Sequence, residues 1–253
     1  MANGMYSAVS GAVAQQQLLD SAANNLANVN TTGFKSQSLV FKEVMQNAES
    51  PLIVKDKSFV RVDASTYNFQ QGALVPTQGQ FDVALLGSGF FVVMGPNGER
   101  YTRAGNFTVD AAGFLSTQDG MHVLGESGPI LIGKGQRVQF NEDGEIMVMD
   151  ESGQSKKQGR LKVAYFNNPS LLVPEGSQLF IDDNSKAGPI SQPKDPSQQR
   201  ARIKSGCLES SNVNAVFQMT QLIQVNRMFQ ASMKVLEAYQ QVDSRVNNDM
   251  FKS

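Results

Sequence analysis

Apolar residues recur at helical spacing near the start of the chain. One apolar stripe has alternating spacings of four and three residues, and it comprises Met5, Val9, Ala12, Gln16, Leu19, Ala23 and Leu26. Such a stripe is typical of a helix that packs against another helix, and only its glutamine is polar. The pattern predicts a helix over about residues 5–30, with Gly33 as its C-terminal stop.

A longer helix is predicted near the other end, over about residues 212–248, with Ser210, Ser211 and Asn212 as N-cap candidates. One apolar stripe comprises Leu222, Val225, Phe229, Ser232, Leu236 and Tyr239. A second stripe beside it comprises Met228, Ala231, Val235, Ala238 and Val242. Two adjacent stripes make a wide apolar face, which suits packing against more than one neighbouring helix.

The middle of the chain has the pattern of short strands and turns. All 9 prolines lie from Pro51 to Pro196, and glycines are concentrated from Gly72 to Gly206, where they interrupt helices. Candidate strands cover residues 81–86, 90–94, 100–103 and 106–109, and candidate turns cover 96–98, 110–113, 119–120 and 143–144. This spacing favours an all-β sandwich or a barrel-like domain.

The predicted fold class is therefore α+β. Residues 1–35 and 206–253 form a coiled-coil-like helical domain, and residues 76–205 form an outer β-rich domain. Residues 36–75 have no glycine before Gly72 and a mixed apolar pattern, which suggests an extended or partly helical connector.

Composition and charge exclude several classes of protein. Of 253 residues, 40% are hydrophobic and 18% are charged, so the chain is globular rather than wholly disordered. The net charge of −1 gives no basic excess, and no nucleic-acid partner is expected. One cysteine allows no internal disulfide. We expect no membrane insertion, because no apolar run approaches about 20 residues, and no cleaved signal peptide, because the first basic residue is Lys35.

The residues that most often carry chemistry are better explained structurally. His122 is the only histidine, and Cys207 is predicted to be a small buried residue. Residues 87–89 and 133–135 are glycine turns too short for phosphate loops, and the aspartates lie at turns. Arg100 and Arg103 are predicted to be solvated charges at strand ends. We therefore predict no catalytic, cofactor-binding or metal site, and no enzyme.

The wide C-terminal face suggests assembly. Pairing of the two end helices covers only part of that face, so other chains would cover the rest. The ends are then expected to be largely unfolded in the monomer and to order on assembly. The less favoured alternative is a closed intramolecular bundle in a stable monomer. An enzyme with a pocket in the β domain and a β-sandwich binding module or adhesin are the alternative functions.

Two segments resemble the signatures of a known family. Residues 23–35 (ANNLANVNTTGFK) and 206–216 (GCLESSNVNAV) resemble the N- and C-terminal signatures of flagellar rod and hook proteins. Residues 85–91 and 101–107 resemble a segment that the rod and hook proteins share. The length fits a rod protein, and residues 159–163 and 229–234 are closer to the proximal-rod branch, with the distal-rod branch as the alternative.

This resemblance implies a structural subunit of the flagellar basal-body rod. Such subunits leave the cell through the flagellar type III export apparatus without a cleaved signal. They polymerise with copies of themselves, and with other rod proteins above and below, into a tube across the periplasm that transmits torque. Terminal helices line the inside and β domains face outward.

An assembly interface follows from the stripes and the signatures together. We favour an intersubunit role for the side chains of Asn24 and Asn25, while those of Asn28 and Asn30 fit helix capping equally well. The predicted interface comprises Val9, Leu19, Asn24, Asn25, Leu26, Asn28, Gly33, Phe34, Asn212, Val213, Asn214, Leu222, Val225, Phe229, Leu236 and Tyr239.

Overall fold

The chain forms two compact units that alternate along the sequence. The computed structural model describes residues 2–46, 57–133, 136–149, 155–176, 178–183, 186–190 and 200–250. The helical unit comprises Met1–Ala27, Gln37–Asn68 and Asn214–Ser253. The β unit comprises Asn28–Ser36 and Phe69–Val213.

Two helices and a hairpin build the helical unit. Helix α1 spans Ala2–Ala27 and helix α2 spans Ala215–Met250, as the periodicity predicts. The helices pack against each other, and the Ser232 hydroxyl lies 3.1 Å from the Gln15 side-chain oxygen. Helix α2 begins after Asn214, whose Oδ1 accepts the Phe217 amide at 3.1 Å. The N-cap is thus two residues beyond the last predicted candidate. Coiled-coil-like geometry of the pair stays a prediction.

The two predicted stripes of α2 differ in burial. Leu222, Val225, Phe229 and Leu236 are half-buried, whereas the second stripe is exposed, with Met228 at 58% and Val235 at 48%. The stripe predicted for α1 is only partly correct, because Val9, Gln16 and Ala23 are exposed. Helix α1 packs against the hairpin as well as α2, so its buried side spans two contact faces. That side includes Ala12, Ala14, Ser21, Ala22 and Asn25.

The predicted connector contains a β-hairpin. Strands β1 (Gln37–Gln46) and β2 (Lys57–Tyr67) pair antiparallel, with an irregularity between Val40 and Phe41. The described part of this segment is extended, which is one of its two predicted conformations, and the two strands also pack against α1.

The β unit consists of short antiparallel strands. Its strands are β3 (Leu74–Pro76), β4 (Val83–Leu86), β5 (Phe90–Gly95), β6 (Gly98–Thr102), β7 (Thr108–Val109), β8 (Leu115–Ser116), β9 (His122–Gly125), β10 (Gly128–Pro129), β11 (Arg137–Phe140), β12 (Glu145–Met149), β13 (Ser155–Arg160), β14 (Val163–Phe166), β15 (Val173–Glu175), β16 (Leu179–Ile181), β17 (Pro189–Ile190), β18 (Arg202–Ser205) and β19 (Cys207–Glu209). The largest sheet has the order β15-β16-β6-β5-β9-β8-β7, with β14 on β5. Strands β11-β12-β13 form a second sheet. Strands β18 and β19 return to pair with β4 and β3.

Strand patterns explain where the core of the β unit lies. Strand β5 begins with four consecutive buried residues, Phe90 to Val93, as expected for a central strand covered on both faces. Strand β11 alternates exposed and buried residues and covers the core with one face. The predicted turns at Gly98, Gly113, Gly120 and Gly144 all have positive φ. Within the described ranges, neither helix combines the length and the hydropathy that a bilayer crossing requires.

Candidate functional site

The two chain segments nearest the helices meet inside the β unit. The Gly33 amide donates to the Glu209 carbonyl at 2.8 Å. The Ser36 amide donates to Asn212 Oδ1 at 2.8 Å, and Asn212 Nδ2 donates to the Gln70 carbonyl at 3.1 Å. The two signature segments of the sequence are therefore hydrogen-bonded to each other. We call the cluster of Gly33, Lys35, Arg103, Glu209 and Asn212 the clasp.

A buried ionic network holds the clasp together. Lys35 Nζ lies 2.6 Å from Glu209 Oε1 and donates to the Gln70 carbonyl at 2.8 Å. Glu209 Oε1 also accepts a hydrogen bond from the Gly72 amide at 2.9 Å. The second carboxylate oxygen, Oε2, lies 3.4 Å from Arg103 Nη1. The side chains of Lys35 and Glu209 are fully buried, and that of Arg103 is 3% exposed. One carboxylate thus joins three separate stretches of chain.

Burial and the carboxylate of Glu209 have opposite effects on the pKa values of Lys35 and Arg103. Loss of solvent lowers the pKa of Lys35 and of Arg103, while the charge and hydrogen bonds of Glu209 oppose that change. Removing one partner of such a network leaves an uncompensated buried charge, which is strongly unfavourable. The network therefore favours one arrangement of the three stretches over all others.

Position 33 requires a glycine because the backbone of Arg103 and Ala104 lies close to it. Its φ is +69°, and a Cβ there would lie 2.4 Å from the Ala104 nitrogen and 2.5 Å from the Arg103 carbonyl carbon. The predicted role of Gly33 as the stop of the first helix is wrong, because α1 ends at Ala27. The turn after the helix begins at Asn28. The Asn28 carbonyl accepts a hydrogen bond from the Thr31 amide, and Asn28 Oδ1 accepts one from the Thr31 hydroxyl, each at 3.1 Å.

Asn25 has an intramolecular role. Its Nδ2 donates to the Gln37 carbonyl and its Oδ1 accepts the Gln37 amide, both at 2.8 Å, and the residue is 2% exposed. The amide therefore fastens the start of the hairpin to α1. An intersubunit role for Asn25 stays a prediction.

The remaining predicted interface residues fall into three groups. Gly33 and Phe34 are buried in the chain, as Asn25 is, and their place in an assembly interface stays a prediction. Half-buried are Leu19, Leu26, Asn28, Asn212, Val213, Leu222, Val225, Phe229 and Leu236. Exposed are Val9, Asn24, Asn214 and Tyr239.

An apolar surface of α2 is the other notable feature. Phe217, Met228, Val235 and Val242 are all at least 46% exposed and lie along one side of the helix with Ala231 and Ala238. We call these six residues the α2 apolar surface. The exposed apolar residues Val9 and Val13 lie on α1 of the same unit. Exposed apolar side chains that recur along one side of a helix are typical of an interaction site.

The sequence does not reveal the ionic network directly. The expectation that Arg100 and Arg103 are solvated is wrong, because both are buried, at 6% and 3% exposure. Arg100 pairs with Glu175 and Arg103 with Glu209. Lys35, Arg103 and Glu209 do all lie inside the segments that carry the family resemblance, which was the one available signal.

Both chain ends contribute to one helical unit, and the clasp joins the segments beside them. These two features together define a class of α+β structural protein. Three family models match: the flagella basal body rod protein over residues 5–35, the flagellar hook protein FlgE/F/G D1 domain over 84–148, and the flagellar basal body rod FlgEFG protein C-terminal over 204–249. Flagellar basal-body rod protein FlgF of Caulobacter vibrioides is 33% identical, over 94% of this chain and 93% of its own.

Two further relatives have similar sequence identity to this chain. FlgG of Bacillus subtilis is 31% identical over 93% of this chain and 94% of its own, and FlgF of Escherichia coli is 30% identical over 98% of both. The chain belongs to the FlgF/FlgG family of flagellar basal-body rod proteins, and the resemblance predicted from its signatures is confirmed. It is a structural subunit of the basal-body rod. Relatives named FlgF and FlgG are comparably close, so identity alone does not separate the two branches.

Proposed function

We propose that this subunit polymerises with copies of itself through its helical unit, and that the α2 apolar surface is a principal contact. One observation carries the proposal: most residues of the first stripe of α2 are half-buried, whereas the second stripe beside it is exposed. Full burial of a Val or Met side chain contributes about 1.5–3 kcal/mol, so six residues along one side of a helix provide a substantial driving force.

The remaining features of the proposal concern the place of the subunit. We propose that it lies in the proximal rod, between other rod proteins above and below, and spans the periplasm as part of the shaft that carries torque. The support is the proximal-type sequence at residues 159–163 and 229–234. We further propose export through the flagellar type III apparatus without a cleaved signal, with the β unit facing outward.

A charge placed on the α2 apolar surface tests the assembly proposal. We expect the double variant Met228→Lys, Val235→Lys to remain folded but to be lost from isolated basal bodies, because assembly would bury two unpaired ammonium groups. The matched control is Asn226→Lys, Gln230→Lys, which adds the same charges at exposed polar positions of the same helix. Incorporation is measured by quantifying the chain in basal bodies from cells lacking the native subunit.

Two outcomes are informative. Loss of the first variant with retention of the control supports the α2 apolar surface as the contact. Equal incorporation of both variants, with unchanged helicity by circular dichroism, would show that this side of α2 remains exposed in the rod. The axial position is tested separately, by locating a labelled subunit along isolated rods.

A further inference from the structure

The β unit contains a cavity beside the clasp. Its volume is ≈ 280 Å³, and its walls combine aromatic rings with the glycine turn at residues 87–89. Phe69 and Phe166 contact Phe90 edge to face, with ring centroids 5.4 and 5.6 Å away. Tyr165 completes the aromatic wall, and Asn167 lies exposed at the mouth. The cavity is therefore mostly apolar with a few polar groups, as small-molecule sites commonly are.

A buried cation forms part of this lining. Arg103 lines the cavity, and its Cζ lies 5.3 Å from the centroid of the Phe90 ring. A guanidinium has five N–H donors, yet among the described residues the polar contact of this group is the long 3.4 Å pair of Arg103 Nη1 with Glu209 Oε2. Its Nε is buried without a hydrogen-bond partner among the residues that the structure describes. Arg103 thus has donor capacity that its neighbours do not use.

The charges around Arg103 are not balanced. Glu209 is shared between Lys35 and Arg103, and its Oε1 already accepts from Lys35 and from the Gly72 amide. The formal sum of these three buried side chains is one positive charge. An excess buried charge is unfavourable unless a counter-charge approaches it. Arg103 also lines the cavity, so an anion bound there would lie beside the guanidinium.

We propose that this cavity binds a small carboxylate that carries an apolar group. The carboxylate accepts from the Arg103 guanidinium, and the apolar group lies against the rings of Phe69, Phe90 and Phe166. The volume of ≈ 280 Å³ lies just below the roughly 300–1,000 Å³ of typical ligand sites, which limits the occupant to a fragment or a single residue. A free carboxylic acid and the carboxyl terminus of a polypeptide share this chemistry.

Binding of simple probes to the full-length chain tests the site. We expect phenylacetate to bind at least about tenfold more tightly than neutral phenylacetamide, because a charge-assisted hydrogen bond is about twice as strong as a neutral one. The dipeptide Gly-Phe and its C-terminal amide form the second pair. Affinities are measured by isothermal titration calorimetry. Tighter binding of phenylacetate indicates a free ligand, and tighter binding of Gly-Phe indicates a chain terminus; either supports the site.

Two variants connect binding to the cavity. Arg103→Gln removes the cation and should reduce carboxylate affinity at least about tenfold. Asn167→Trp places a large side chain at the mouth, leaves the ionic network intact, and should abolish binding with unchanged thermal unfolding. The second variant keeps the test valid if the first is destabilised. Equal affinity for carboxylate and amide, no binding at millimolar concentration, or full binding by Asn167→Trp would each overturn the proposal.

Discussion

At the residue scale, Glu209 is the most constrained position of the clasp. Its carboxylate is fully buried and pairs with both Lys35 and Arg103. We expect Glu209→Ala to reduce the free energy of unfolding by about 3–5 kcal/mol, because two buried cations lose their only shared counter-charge. Urea denaturation followed by circular dichroism measures the change.

An exposed glutamate provides the control for this prediction. The side chain of Glu142 is 78% exposed and lies 3.8 Å from Arg202. Exposed pairs of this kind contribute about 0–1 kcal/mol, so Glu142→Ala should have little effect. Comparable losses for the two variants would mean that the ionic network contributes no more than a surface pair.

The sequence could not predict the state of these charged residues. Arg103 lies at the end of a predicted strand, where a charged side chain is usually solvated. Its burial comes from contacts with Glu209, which is distant in the sequence, and with Phe90, which lies on another strand. Hydrophobic periodicity carries no information about such long-range partners. Only the family signatures, which contain Lys35 and Glu209, marked the two segments that meet.

At the element scale, the side chain of Asn25 makes two hydrogen bonds that join the start of the hairpin to α1. Asn25→Ala removes both hydrogen bonds to the Gln37 backbone. We expect a loss of about 2 kcal/mol or more in unfolding free energy, since a buried backbone group left unpaired costs about 1–3 kcal/mol. The exchange rate of the Gln37 amide proton, measured by NMR, should rise at the same time.

The neighbouring asparagine is the matched control. Asn24 has the same side chain, lies one position earlier on α1, and is exposed. Asn24→Ala should leave the Gln37 amide protected. Faster exchange in both variants would indicate that fraying of α1, and not the Asn25 amide, controls the start of the hairpin.

The elements differ in how well the sequence predicts them. Both helices follow from apolar periodicity, and several strands and turns of the β unit follow from glycine-marked turns, such as those at Gly98 and Gly144. The β1–β2 hairpin does not, because its strands lack clean alternation and no glycine lies between them. The α1 stripe is inexact because α1 is covered by two partners, which broadens its buried side beyond a helix–helix seam.

At the scale of the whole molecule, the chain passes several times between the helical unit and the β unit. Residues 28–36 belong to the β unit, although the segments directly before and after them belong to the helical unit. The clasp therefore holds a short stretch in the β unit through hydrogen bonds and charge instead of through adjacent sequence. This arrangement determines which fragments a protease should release from the monomer.

Limited proteolysis tests whether the helical unit is ordered before assembly. If it is not, protease should remove the helices and the hairpin, and leave a large fragment within residues 69–213. We expect a peptide containing residues 33–36 to stay bound to that fragment, because Gly33, Lys35 and Ser36 are all bonded to Glu209 or Asn212. Native mass spectrometry should detect the complex, and urea should separate it.

The alternative outcomes distinguish two physical states of the monomer. A large fragment without the peptide would show that the clasp does not hold once the flanking chain is cut. Resistance of the whole chain would show that α1, α2 and the hairpin close on each other before any contact with a second copy. Assembly would then add contacts to a preformed surface, without a gain of helix, and circular dichroism during polymerisation should show no increase in helicity.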